Sequence, residues 1–359
     1  MLYFLLGLIT LRLSYWYFLF IRLAWHKQAL EITESKAISL VVAVKNNLAG
    51  IKALTFKIQK QNYAHWELIV VDDGNDEPLQ NYISELQSAN IRYLRNDGLP
   101  GKKHALVEGI RAAQHPWVAV TDADCVPASL RYFDVMQASL VSPNHKIVLG
   151  FAPLRATGSL ASHLASYEAA YIGMQYLSYA KAGMPYMGVG RNMLFDKELY
   201  LQHASEISEI PTLSGDDDLF IQAAATSENT TICIHPYGFC VSDAPSGFGE
   251  WIKQRTRQIS TASHYQTRHR LLLGGFAALH LGIYTLFLLC LIGSWLSPAD
   301  VLAVWTIMIG LMTLIQYPVF RKLKSIPALL WTSIADIFLA GFYAWIAIRY
   351  KTKHTHPWK

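Results

Sequence analysis

The sequence predicts an α/β domain built on an open, mostly parallel sheet and held between membrane-spanning segments. Three observations predict it. Apolar, β-branched runs alternate with helical stretches between about residues 38 and 122. Acidic residues close two of those runs. Hydrophobicity is concentrated at the two ends of the chain, whose 359 residues are 52% hydrophobic and only 16% charged, against about 25% charged in a soluble protein.

The elements follow in order. Residues 2–25 are nearly all apolar, interrupted by Arg12 and Arg22. They are long enough to span a bilayer, which takes about 20 residues, although Arg12 near the middle weakens the case. No small-x-small cleavage site precedes His26 and Lys27, so an anchor is expected rather than a cleaved signal. Ile38-Ser-Leu-Val-Val-Ala-Val44 reads as a strand buried on both faces. A helix over 49–60 follows, then a strand over 67–72 that ends in Asp72-Asp73-Gly74. Pro78 opens a helix to about residue 89. Residues 91–95 form a short strand, 101–114 a helix, and 117–121 a strand ending at Asp122. This alternation implies right-handed crossovers, with a ligand at the carboxyl ends of the strands. No G-x-G-x-x-G or P-loop motif is present, so dinucleotide and Walker-type sites lose most of their support.

Toward the C-terminus, residues 271–296, 301–320 and 326–348 are three further apolar segments. Lys253, Arg255, Arg257, Arg268 and Arg270 precede them, which places the sheet domain in the cytoplasm. Arg321, Lys322 and Lys324 agree. Arg349, Lys351, Lys353 and Lys359 do not, unless the last segment fails to cross. The expected division is a membrane anchor at 1–26, the sheet domain at 37–245, an interfacial amphipathic helix at 246–270, a membrane bundle at 271–348 and a basic tail at 349–359. In the interfacial helix, Phe248, Ile252, Ile259 and Ala262 share one face, and Gln254, Arg257 and Thr261 the other. Asp336 at membrane depth marks either a functional site or a pairing with a neighbouring helix. The net charge of +5 suits an anionic leaflet better than nucleic acid, and no nucleic-acid partner is expected. The four cysteines, Cys125, Cys233, Cys240 and Cys290, lack metal-site spacing and read as small buried hydrophobes.

Five short stretches carry chemistry. Asp122-Ala-Asp124 puts two carboxylates at a strand end, suited to Mg²⁺ or Mn²⁺ held together with phosphate oxygens. Val71-Asp72-Asp73-Gly74 reads either as an Asp-Gly turn or as a pair that binds a nucleoside. Gly101-Lys102-Lys103 starts a helix, either as a phosphate site or as a solvated basic helix start. Ser214-Gly-Asp216-Asp217-Asp218 crowds three carboxylates, more than a helix cap needs, and offers a general base. Gln254-Arg-Thr-Arg257 offers a cationic clamp for a diphosphate, or a positively charged flank. Gly190, Arg191 and Asn192 form either an acceptor-lining loop or a strand-entry turn. Tyr167, Tyr171, Tyr176 and Tyr179 are expected in the core.

These motifs, with Ser39-Leu-Val-Val-Ala-Val-Lys-Asn46, stand in an order that resembles the inverting family 2 glycosyltransferases. The resemblance covers about residues 37–270. It is to the membrane-bound branch that includes ceramide glucosyltransferase, hyaluronan synthase and cellulose synthase. It implies a GT-A fold, a nucleotide-sugar donor, with a UDP-sugar expected, and a divalent metal, Mg²⁺ or Mn²⁺, on Asp122 and Asp124. Asp72 and Asp73 would hold the nucleoside. Lys102, Lys103, Gln254 and Arg257 would hold the diphosphate. Asp216 would be the base, with Asp217 second. Gly190, Arg191, Asn192 and Gln258 would face the acceptor, a lipid, lipid-linked sugar or glycan. The family's Glu is replaced by Gly215, and the Trp of its Q-x-x-R-W by Gln258. A processive polysaccharide synthase and a non-catalytic synthase subunit are the competing readings. A nucleotidyltransferase would share the sheet and the D-x-D, but not the Asp216 triplet beside a membrane helix.

Overall fold

The computed structural model describes residues 1–28, 35–210 and 215–352. Ser214 and most of the expected basic tail lie outside the described residues.

Ten strands follow in chain order: β1 (Ile38–Val44), β2 (Trp66–Asp72), β3 (Ile91–Arg95), β4 (Trp117–Asp122), β5 (Val126–Pro127), β6 (Ile147–Gly150), β7 (Leu154–Arg155), β8 (Met193–Asp196), β9 (Thr230–Cys233) and β10 (Cys240–Asp243). The main sheet has the order β3-β2-β1-β4-β8-β6-β9. Strands β3, β2, β1 and β4 are parallel. Strand β8 runs antiparallel to both β4 and β6, and β9 is parallel to β6. The first four strands match the sequence reading to within a residue. The short strands from β5 onward carry too few residues for a periodic signal.

Strand β1 is buried along its whole length, and its alternate residues feed two cores. Leu40 and Val42 pack with Leu68, Val70, Ile51 and Leu54 on one side. Val41 and Ala43 pack with Ile69, Val71 and Ile110 on the other, and that core runs unbroken into the membrane helices through Trp16, Phe20 and Phe276. The helices that follow β1 and β2 start at capping side chains. Asn47 accepts from the Gly50 N–H at 3.0 Å, and Asp76 from Leu79 at 3.3 Å. All four cysteines are free and buried, and all four tyrosines of helix Leu160–Lys181 are buried as expected.

Among the described residues, four helices are long and apolar enough to cross a membrane: Leu2–Trp25, Thr267–Ile292, Pro298–Lys322 and Thr332–Arg349. Arg12, which weakened the first as a candidate, meets Asp336 of the fourth. Its Nη1 donates at 2.9 Å and its Nη2 at 2.5 Å to the two carboxylate oxygens. Each charge explains the other.

The interfacial helix differs from expectation. It spans Phe248–Gln258 and tightens into a 3₁₀ stretch at Ile259–His264. The hydroxyls of Ser260 and Thr261 bond back to the carbonyls of Arg257 and Gln258, which competes with regular helix. Trp251 adds an anchor to the expected apolar face, of which Phe248 packs on Phe338 and Ile252 and Ile259 on the core. The indole packs on Phe338 and Phe342 of the fourth span and donates to Glu168 at 2.7 Å. Glu168 also accepts from Arg255 at 2.6 and 2.7 Å and from Tyr343 at 2.6 Å. One buried carboxylate thus ties the sheet domain, the interfacial helix and the membrane bundle together.

Candidate active site

The site forms where β4 ends. The turn after it carries Asp122, Ala123 and Asp124, and Gly50 lies against this turn. A Cβ at Gly50 would stand 2.1 Å from the Ala123 carbonyl oxygen, so only glycine allows the helix to approach this closely. Gly50→Ala is therefore expected to displace the Asp122–Asp124 turn and abolish divalent-metal binding. Isothermal titration with Mn²⁺ checks it, and wild-type affinity would show that the turn can yield.

Lys102 opens the helix Lys102–Ala112 and pairs with Asp122 at 2.6 Å. Burial disfavours its ammonium, but Asp122, Asp216 and Asp217 outweigh burial and raise its pKa. Burial likewise works against the Asp122 carboxylate. Lys102, then Arg191 and Arg257, overcome it and hold the group below its ordinary value. Asp124 moves the other way, raised by burial and by the Asp122 charge. Ligand atoms of Asp122, Asp124 and Cys125 all lie within 4.8 Å of one another. The Cys125 thiol is pushed well up by burial and by Asp124, so it stays protonated and is no ligand for a hard cation. The two carboxylates are an oxygen set that fits Mg²⁺ or Mn²⁺, and a cation there would relieve the repulsion that raises Asp124.

The Asp triplet divides its labour. Asp217 Oδ2 accepts from the Gly190 N–H at 2.6 Å and Oδ1 from its neighbour's N–H at 2.9 Å. Burial and Asp216 raise its pKa to about 6. Asp218 accepts from Tyr265 at 2.6 Å and Thr261 at 3.1 Å, and burial with Asp217 pushes it well up. Asp216 is buried and, among the described residues, makes no side-chain hydrogen bond. Gly215 has φ +100°, and a Cβ there would stand 2.0 Å from the Thr261 methyl. A glutamate does not fit, which explains the departure from Glu-Asp.

One cavity of about 620 Å³ gathers Lys102, Asp122, Gly190, Arg191, Asp216, Asp217, Gln254, Arg257 and Gln258. It does not gather five other residues expected at the site; one of them, Asp124, stands beside Asp122 in the turn after β4, its carboxylate within 4.8 Å of the Asp122 ligand atom. Asp72 is enclosed by Gly74, Asp76 and Tyr93, which donate at 2.7, 2.7 and 2.9 Å. Asp73 accepts from Asn96 and from the Gly101 N–H. Both build the turn at the end of β2. Lys103 turns away and donates to the Ile210 carbonyl at 2.6 Å. Asn192 is buried and bonds Phe151, Gly238 and Tyr132. Its amide therefore holds β8 in the core instead of facing the cavity. Sequence reasoning missed Gly50, Thr261, Tyr265 and the Glu168–Arg255 pair, because each acts through a partner distant in the chain.

Residues 36–261, well over half the chain, match the family described as Glycosyltransferase like family 2. The chain belongs to glycosyltransferase family 2. Its sheet domain has the GT-A fold. The mannosyltransferase PcManGT from Pyrobaculum calidifontis, solved with GDP-Man and Mn²⁺, superposes with a TM-score of 0.60 at 16% identity, covering 93% of this chain and 97% of that one. This family 2 chain is 24% identical over 229 residues to poly-beta-1,6-N-acetyl-D-glucosamine synthase of Staphylococcus epidermidis, covering 63% of this chain and 55% of the relative. It is 28% identical over 87 residues to a UDP-Glc:alpha-D-GlcNAc-diphosphoundecaprenol beta-1,3-glucosyltransferase of Escherichia coli, covering 24% of this chain and 34% of that protein. The chain thus spans about half and about a third of these two relatives.

Proposed function

We propose that this glycosyltransferase moves one sugar per encounter, with inversion, from a nucleotide-diphospho-sugar to a lipid or lipid-linked acceptor at the cytoplasmic face of the cell membrane. One observation carries the reading. The cavity that holds Lys102, Asp122 and Asp216 continues between two membrane helices, where Leu273, Ala277, Leu281, Ala340, Ala344 and Ala347 line it. Small residues on facing helices leave room for a chain. Such a cavity suits an acceptor with a polar head and an apolar tail.

In this reading Asp216 accepts the proton of the acceptor hydroxyl as its oxygen attacks the sugar's anomeric carbon. A divalent ion on Asp122 and Asp124 would supply charge neutralisation to the departing diphosphate. Lys102, Gln254 and Arg257 face the same space and would orient it. Asp217 positions the Gly190 loop. The relative that acts on a diphosphoundecaprenol-linked sugar supports a lipid-linked acceptor and a UDP-sugar. The similarity to a polysaccharide synthase keeps processive synthesis as a second reading.

The test is nucleotide release by detergent-purified protein, screened across UDP- and GDP-sugars with Mn²⁺ or Mg²⁺. The expected result is metal-dependent release that Asp124→Ala lowers by at least about a hundredfold, several kcal/mol of lost charge stabilisation. Release unaffected by chelator would overturn the metal. A ladder of products instead of a single addition would establish the processive reading. Nucleotide binding without release would point to a missing acceptor or partner, and neither binding nor release would favour the non-catalytic subunit.

A further inference from the structure

A second cavity, of about 370 Å³, lies away from the transfer site where the first span leaves the membrane. That size is within the range of small-ligand clefts, about 300–1,000 Å³. Arg22 lines it from the last turn of the first span, His26 and Lys27 from the chain that follows, and Lys181 from the end of helix Leu160–Lys181. Lys322, at the end of the third span, donates to the His26 carbonyl and brings a further cation alongside. Among the described residues, no carboxylate lies within ion-pair distance of Arg22, Lys27 or Lys181. Cations gathered around a cavity without a counter-charge repel one another, and an anion would relieve that repulsion.

The site also has built polar parts. Gln28 is fixed on both sides, donating to the Ser139 hydroxyl at 2.9 Å and accepting from the Ile234 N–H at 2.9 Å. Ser139 lines the cavity beside it. The His26 Nε2 is buried and has no hydrogen-bond partner among the described residues. Burial, Lys181 and Lys322 lower the pKa of His26 to about 4, so the ring is neutral and can serve a phosphate as an N–H donor.

The depth identifies the source of the anion. Two spans end at this point, and Trp25, 77% exposed, marks the headgroup level where indoles settle. We propose that this cavity binds the phosphate of an anionic phospholipid headgroup, as a site separate from the one for sugar transfer. The lipid's tails would lie along the outside of the first span, and its phosphate would sit among Arg22, Lys27 and Lys181. The inference does not depend on the transferase reading.

The experiment is native mass spectrometry of the full chain in detergent, titrated with phosphatidylglycerol or phosphatidylcholine. The expected result is selective retention of phosphatidylglycerol. Affinity should fall roughly fivefold for each cation removed, about 1 kcal/mol per cation at a membrane surface, in Lys27→Gln, Lys181→Gln and their double variant. Arg268→Gln/Arg270→Gln, which removes cations at the start of the second span, is the control. Equal losses in that control would reduce the effect to general leaflet attraction and overturn the site. Displacement of the lipid by inorganic phosphate at comparable concentration would overturn the phospholipid in favour of a soluble anion. Retention unchanged in the double variant would show that the cations are not available to a lipid and would overturn the proposal altogether. Thermal unfolding of each variant without lipid establishes that it folds.

Discussion

Asp216→Asn is expected to lower sugar transfer by about 10²–10⁴-fold, the usual contribution of a general base, while nucleotide-sugar affinity stays within a few-fold of wild type. The argument is one of availability. Three adjacent carboxylates open the helix Asp216–Ala224, and two are already committed. Asp218 is enclosed by Thr261 and Tyr265, and Asp217 holds Gly190 and its own helix turn. Asp216 lines the cavity with no side-chain hydrogen bond among the described residues. Asparagine keeps the shape and removes the basicity. Asp217→Asn should behave differently, because an amide oxygen still accepts from Gly190, so its main effect should be on acceptor KM. Rapid-quench measurement of single-turnover transfer, with donor affinity from equilibrium titration, separates the two variants. Undiminished transfer by Asp216→Asn, with loss in Asp217→Asn, would move the base to Asp217.

The half of the sheet that positions this site was legible because β1, β2 and β4 are buried on both faces. Within Ile38–Val44 and Trp66–Asp72 the polar Ser39 and Glu67 sit at the strand starts and bond each other at 2.6 Å, which leaves continuous apolar runs, and the acids that end β2 and β4 fall where the topology puts ligands. The roles of those acids were less legible. Asp72 and Asp73 look like binding residues in sequence, yet their oxygens are taken up by turn N–H groups, Asn96 and Tyr93. Lys102 and Lys103 are indistinguishable as neighbours, but successive helix positions point about 100° apart. One therefore faces Asp122 and the other the Ile210 carbonyl. Gly215 reads as a defect in the motif until Thr261, distant in sequence, fills the space of the missing side chain. The interfacial helix was placed by hydrophobic periodicity, which weighs Trp251 as merely apolar. Its N–H bond to Glu168, 83 residues away, is invisible to periodicity.

Asp336→Ala is expected to destabilise the protein by about 3–5 kcal/mol, the cost of breaking a buried ion pair from one side. Both side chains of the pair are essentially inaccessible, at 0% and 2% exposure. Asp336 also accepts from Tyr284 at 2.6 Å and contacts His280 at 3.3 Å. Single hydrogen bonds between membrane helices contribute little, about 0.6 kcal/mol on average. The large effect comes instead from the Arg12 guanidinium, left charged in a dry helix interface with no counter-charge. The remedy follows from the same reasoning. Replacing both charges, in Arg12→Leu/Asp336→Leu, should restore most of the stability, since buried ion pairs are often exchanged for apolar packing without loss. Thermal unfolding in a fixed detergent measures both. A stable Asp336→Ala protein would show that Arg12 reaches water or lipid phosphate, and that the first span is not held by this pair. The double variant also separates scaffold from chemistry, because His280 lines the cavity and hydrogen-bonds to the Asp336 backbone carbonyl. If Arg12→Leu/Asp336→Leu folds and transfers sugar at the wild-type rate, the two charges serve only to join the first and fourth spans. If it folds but transfers slowly, the pair sets the position of His280 and with it the acceptor's path between the helices.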